Sequence, residues 1–217
     1  MLSNRLAMHF RPCLFLFAVI AFALSAKPAA AVDTERARNF VGGLAQTAIH
    51  NLTEPDLEDA ILQARFRKLF REHFDLQTIT RFVLGRYWNE ATEAQKKEFQ
   101  TLLEDYIVLA NSGRFKGYAG EIFEVNDVRE HGDKDAIVYT RIVRNTAAPV
   151  RIDWRVRQPN SDVKIIDVAI EGLSMVLTHR NEFAAVIQRS TNGIDGLLET
   201  LRQKTEGVNR ESLAASP

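Results

Sequence analysis

The spacing of apolar residues in this chain changes twice, from every third or fourth position to every second and back, and that limits the folds open to it. A helix buries a stripe that repeats every 3.6 residues, whereas a half-buried strand buries a face that repeats every two. From Asp33, Ala37, Phe40, Val41, Leu44, Ala48 and Leu52 fall on one helix face. After Pro55 a second stripe runs Leu62, Phe66, Leu69, Phe70 and His73. From residue 121 onward the spacing is two, and from Ser174 it is helical again. The pattern predicts helices, then a sheet, then closing helices, in one α+β domain.

Local signals place the boundaries. Asp75 can cap a short helix bearing Ile79, Phe82 and Val83, which Gly85 can close. Thr92 and Gln95 fit a capping box in front of the stripe Phe99, Leu102, Leu103, Tyr106, Ile107 and Ala110. Residues 121–130 and 136–144 read as strands about a Gly132-Asp133 turn. Val150, Ile152, Trp154 and Val156 alternate with Arg151, Asp153, Arg155 and Arg157, which makes one strand face apolar and the other charged. A turn over residues 159–162 leads to a last strand with Ile166, Val168 and Ile170. Short connections imply a curved antiparallel meander of about four strands, with an apolar cavity between sheet and helices. Ser174 caps a helix carrying Val176, Phe183, Val186 and Ile187, and a final helix carries Ile194, Leu197, Leu198 and Leu201. The polar, small residues 205–217 read as a loose tail.

The first residues address the chain. Arg5 and Arg11 precede an apolar run over residues 13–24, and Ala29-Ala30-Ala31 supplies a small-residue cleavage site, which together predict a signal peptide over 1–31 and a domain over 32–204. The run is short for a membrane span. The one cysteine, Cys13, lies in that leader, so the chain that follows has no disulfide, thiolate nucleophile or cysteine-bound metal. The full chain has 28 basic and 28 acidic residues; without Arg5, Arg11 and Lys27 it carries three excess acids. Nucleic-acid binding needs the opposite balance.

No glycine-rich dinucleotide loop, phosphate-binding loop or serine elbow is present. His50, His73, His131 and His179 are scattered, without metal-ligand spacing. The sequence therefore points to no metal, no cofactor and no catalytic residue. It is rich instead in apolar surface, with thirteen Phe, two Trp and four Tyr.

The stretch Phe74-Asp75, then Ile-Thr-Arg-Phe-Val-Leu-Gly-Arg-Tyr-Trp over 79–88, Ala91-Thr92 with Gln95, and Phe99 resembles the MlaC family of periplasmic phospholipid-binding proteins, also called toluene-tolerance proteins. Pro-Val-Arg-Ile-Asp-Trp-Arg-Val over 149–156, Lys-Ile-Ile-Asp-Val-Ala-Ile-Glu-Gly-Leu-Ser over 164–174 and Arg-Asn-Glu-Phe over 180–183 extend the resemblance. It departs at Val163, where the family often has Trp. The resemblance implies a carrier, not an enzyme, with phospholipid as cargo and a deep apolar pocket. It implies as partners an inner-membrane ABC transporter with an MCE-domain subunit and an outer-membrane lipoprotein–porin complex. A hopanoid is an alternative cargo, and a cone-like small-molecule enzyme or binding protein an alternative function. We expect a monomer.

On this reading the candidate acyl-chain contacts are Val150, Ile152, Trp154, Val156, Ile166, Val168 and Ile170, which would otherwise form a dry core. Phe82, Tyr87, Trp88, Phe115 and Tyr118 are second candidates for the pocket or its mouth. Arg180 shares a helix stripe with Val176 and Phe183, so it either faces a lipid phosphate, snorkels, or pairs with a carboxylate such as Glu171 or Glu182. Arg65, Arg67, Lys68 and Arg71 form a basic cluster suited to an acidic partner or to water. N-terminal sequencing of the protein recovered from an envelope extract should begin within a few residues of Val32; an intact leader retained in the inner membrane would contradict the cleavage.

Overall fold

The computed structural model describes residues 33–145, 147–158 and 162–214, the last eight of these as backbone only. The leader and residues 159–161 of the last turn lie outside the described residues. Six helices and five strands follow in the expected order: α1 (Thr34–Leu52), α2 (Asp59–His73), α3 (Leu76–Leu84), α4 (Glu93–Ser112), β1 (Ile122–His131), β2 (Asp135–Val143), β3 (Val150–Arg157), β4 (Lys164–Ile170), β5 (Leu173–Ser174), α5 (Met175–Arg189) and α6 (Ile194–Ala214). The predicted caps are those that form. Asp75 accepts from the Thr78 amide, Thr92 and Gln95 close a full capping box, and Ser174 accepts from the Leu177 amide. Each satisfies backbone donors that a helix start leaves without partners.

The sheet is an antiparallel meander in the order β1-β2-β3-β4-β5, one short strand more than the period predicts. Two residues are too few to show alternation, so β5 carries no sequence signal. Helix α6 runs to Ala214, into the stretch 205–217 read as a tail, of which 215–217 lie outside the described residues; Thr205 is buried, its hydroxyl donating to the Leu201 and Arg202 carbonyls.

Two large apolar clusters, with a third, small one under the end of α1, fill the described residues. One joins α3, α4, α5 and α6 through Phe99, Leu103, Phe183, Leu197 and Leu201. The other lies between α1 and the sheet, where Ala37, Val41 and Leu44 pack on Ala136, Val138, Val156 and Ile165. Phe74 packs against both. The expected apolar cavity between layers is not open, because α1 rests directly on the strands and Val138, Val156 and Ile165 have no exposed surface. Two surface concavities are present instead. One of about 410 Å3 lies where α1, α2 and the start of β4 meet, and one of about 350 Å3 lies along α2. Both are far short of two acyl chains.

Polar contacts lock the remaining surfaces. Glu104 of α4 is buried and takes Arg67 and Arg71 of α2 at 2.6 and 2.8 Å. Arg65 turns to Glu54 at 2.8 Å, so three members of the basic cluster are held by carboxylates of this chain. At the exposed edge, β1 bulges between Val125 and Asp127, Arg38 donates to the Val125 carbonyl, and Asp127 accepts from the Val128 amide. An irregular edge with occupied backbone groups resists pairing with another chain.

The sheet face away from α1 carries ion pairs. Buried Asp135 takes Arg155 through Oδ2 at 2.6 Å and Arg157 through Oδ1 at 2.6 Å. Burial pushes the Asp135 carboxyl up, but hydrogen bonds and charge from Arg157 and Arg155 outweigh it and hold the carboxyl below its ordinary range. Its contribution to stability is therefore complete above about pH 5 and is lost as pH falls from the unfolded value near 3.9 through the lower folded value. Thermal denaturation from pH 7 to 3 should show that acid limb, and Asp135→Asn should flatten it while melting lower at pH 7. An unchanged limb would assign the acid sensitivity to other carboxylates.

Candidate functional site

Strand register assembles the apolar face. Ile142 of β2 stands opposite Val150 of β3, Val138 opposite Trp154, and Ala136 opposite Val156. Across the next ladder Ile152 faces Ile170 and Trp154 faces Val168. The strand residues expected to act together are thus neighbours, with one correction. A bulge shifts the β3–β4 register so that Val156 faces Ile165, and Ile166 is the extra residue. A single inserted residue reverses which side chains face the core. Ile165, fully buried, takes the place expected of Ile166.

The rest of this surface comes from residues outside the candidate set: Phe123, Val125 and Val128 of β1, Val138 and Ile142 of β2, and Phe40 and Val41 of α1. Helix α1 seals one end of the face, over Ala136, Val138, Val156 and Ile165. The other end, with Phe123, Ile142, Val150, Ile152 and Ile170, is only half-buried. Polar atoms within the face are satisfied. The Trp154 indole donates to Thr140 Oγ1 at 3.0 Å, and the Thr140 hydroxyl donates to the Ile152 carbonyl at 2.7 Å. The indole can therefore present its ring to an apolar neighbour without an orphaned N–H.

The second set of candidates is dispersed. Tyr87 and Trp88 belong to the helical cluster, and Lys96 lies 5.1 Å above the Trp88 ring. Phe115 packs with Phe66, 5.9 Å between centroids, in a small cluster under the end of α1. Tyr118 is exposed and donates to the Glu121 carbonyl. Phe82 is exposed on α3, and the Arg180 guanidinium stacks 5.0 Å above it. Neither carboxylate weighed as a partner for Arg180 reaches it, since Glu171 accepts from the Arg151 amide and Glu182 lies against His179. Arg180 instead crosses Gly85, where an added Cβ would meet its Nε at 2.9 Å. Phe82 and Arg180 thus mark the α3–α5 pairing rather than the sheet face.

Among the described residues, no cluster of three or more His, Cys, Asp or Glu is placed to hold a metal, and no helix is long and apolar enough to cross a membrane. His73 sits at the corner concavity with Nδ1 2.9 Å from the Leu69 carbonyl oxygen, which makes that nitrogen the donor.

The described residues form a mixed helix and antiparallel-sheet domain whose apolar sheet face is only partly covered by α1. The MlaC protein family matches residues 43–203, and the chain belongs to that family. Its fold is also that of a phospholipid-binding protein from Ralstonia solanacearum, solved in complex with a phospholipid. That protein is similar at 24% identity and a TM-score of 0.71, over 80% of this chain and 98% of the other.

Gly85 has φ +58° and ψ −126°, a conformation that side chains with a Cβ rarely adopt. Gly85→Ala should cost about 1–3 kcal/mol in chemical denaturation. Adding Arg180→Ala should restore only the part due to the close approach, and full recovery would show that backbone conformation is not the constraint.

Proposed function

We propose that the protein is a periplasmic phospholipid carrier, and not an enzyme, which holds acyl chains against the apolar face of β1–β4 and shuttles lipid between an outer-membrane lipoprotein–porin complex and an inner-membrane ABC transporter with an MCE-domain subunit. One observation carries the reading: the apolar face is continuous across four strands, yet α1 seals only one end of it. Membership of the MlaC family and the phospholipid bound by the Ralstonia protein support it.

The energetics suit a carrier. A diacyl lipid has about 30 methylenes, each costing about 0.8 kcal/mol to expose, so roughly 24 kcal/mol opposes escape into water. Transfer from bilayer to protein avoids that exposure when the chains exchange one apolar surface for another. The contacts between α1 and the sheet are chiefly apolar and non-directional, joined by the Arg38 bond to the Val125 carbonyl. As α1 lifts, acyl chains replace its side chains on Val138, Trp154, Val156 and Val168 at little net cost. No nucleotide or catalytic base is needed for that exchange.

Organic extraction and mass spectrometry of the purified protein should yield phospholipid. Ile152→Asp or Val168→Asp should lower the bound amount severalfold, since an unpaired charge in an apolar site is strongly disfavoured. Circular dichroism on the same samples separates lost binding from lost fold. A folded variant with unchanged lipid content removes that position from the site, and a wild type without lipid removes the carrier reading. A hopanoid in the extract would keep the carrier and change its cargo.

A further inference from the structure

The corner concavity has a lining that a purely apolar ligand does not need. It is bounded by Arg36, Asn39 and Phe40 of α1, Glu72 and His73 of α2, and Asp162, Val163 and Lys164 at the start of β4. Phe40 and Val163 belong to the same apolar cluster as Val156 and Ile165, so the concavity borders the packed seam beneath α1, which chains would enter as α1 lifts. Its polar rim thus stands at the end of the apolar face opposite the half-buried Ile152 and Ile170.

We propose that this concavity seats the head group of a zwitterionic phospholipid, with the phosphate beside Lys164, Arg36 and the Asn39 amide, the ammonium beside Glu72 and Asp162, and the chains running along β3 and β4 toward Ile152 and Ile170. The proposal rests on the carrier reading and fixes the direction in which the cargo lies. Three observations bear on it. The volume of about 410 Å3 has room for a polar head group but not for two acyl chains besides. The seven residues of β4 span about 20 Å at the usual rise, somewhat more than the roughly 15 Å of hydrocarbon in one leaflet. The lining carries both charge signs, so a purely anionic group meets repulsion from Glu72 and Asp162, while a group bearing both charges is matched on each side.

The seat is also anchored. Lys164 donates to the Glu72 carbonyl at the end of α2, which holds its ammonium at the rim with further N–H donors to spare. His73 spends Nδ1 on the Leu69 carbonyl, leaving Nε2 as its remaining polar atom. Arg36 and Asp162 already have partners, and a zwitterion offers a replacement for a contact of either sign.

The test uses vesicles of equal phosphatidylethanolamine and phosphatidylglycerol with identical acyl chains. The purified protein is incubated with them, recovered, extracted and its lipids counted by mass spectrometry. Wild type should enrich the ethanolamine lipid about fivefold, the scale of one partly exposed ion pair. Glu72→Gln combined with Asp162→Asn should abolish the enrichment of the ethanolamine lipid over the glycerol lipid. Lys164→Gln should lower uptake of both lipids. A wild-type ratio equal to the vesicle ratio, or enrichment that survives the double variant, overturns the seat and leaves the carrier standing. A wild type that takes up neither lipid overturns both. Because Lys164 also ties α2 to β4, melting temperatures accompany every sample, and the exposed Glu72 and Asp162 decide the question if Lys164→Gln does not fold.

Discussion

The junction of α2, α3 and β4 holds the helical half of the molecule to the sheet. Phe74 pairs with Ile165 as an isolated parallel bridge, and the Asp75 amide donates to the Ile165 carbonyl at 2.9 Å. The Phe74 ring packs into both apolar clusters, and the Asp75 carboxylate starts α3. Two residues therefore end one helix, start the next and attach both to a strand. On the neighbouring side Lys164 bonds the end of α2, so β4 supports the corner from two consecutive positions.

From that fixed corner the two faces of the sheet behave differently. Asp135 with Arg155 and Arg157, and Asp153 with Arg151, are directional pairs whose geometry resists displacement. The face under α1 is held by apolar contact, which has no preferred direction and can re-form on any apolar surface of similar shape. The proposed carrier function would use this division, with one face keeping the fold intact while the other exchanges its covering, and Thr140 satisfies the Trp154 indole.

Much of the fold was legible because its signals are local. Caps at Asp75, Thr92 and Ser174 and the strict alternation of β3 depend on residues a few positions apart. Helix α6 beyond Lys204 and the two-residue β5 were not legible, since the first carries mostly polar residues without an apolar stripe and the second rests on pairing alone. Half of the candidate site was legible for the same reason. Val150, Ile152, Trp154 and Val156 share one face because a single strand forces them to, and Val168 and Ile170 join them through register.

The sequence by itself determined the order of elements, the apolar face of β3 and the kinship carried by residues 74–99 and 149–183, because periodicity and motif are properties of neighbouring residues. The tertiary structure decided that Ile165 and not Ile166 completes the face, that α1 covers one end and leaves the other half open, and that Arg180 stacks on Phe82 across Gly85. It also decided that Lys164, Glu72 and Asn39 meet at one corner. Each of these follows from a bulge or from packing between segments far apart in the chain, and no local spacing records which distant surface a side chain will meet.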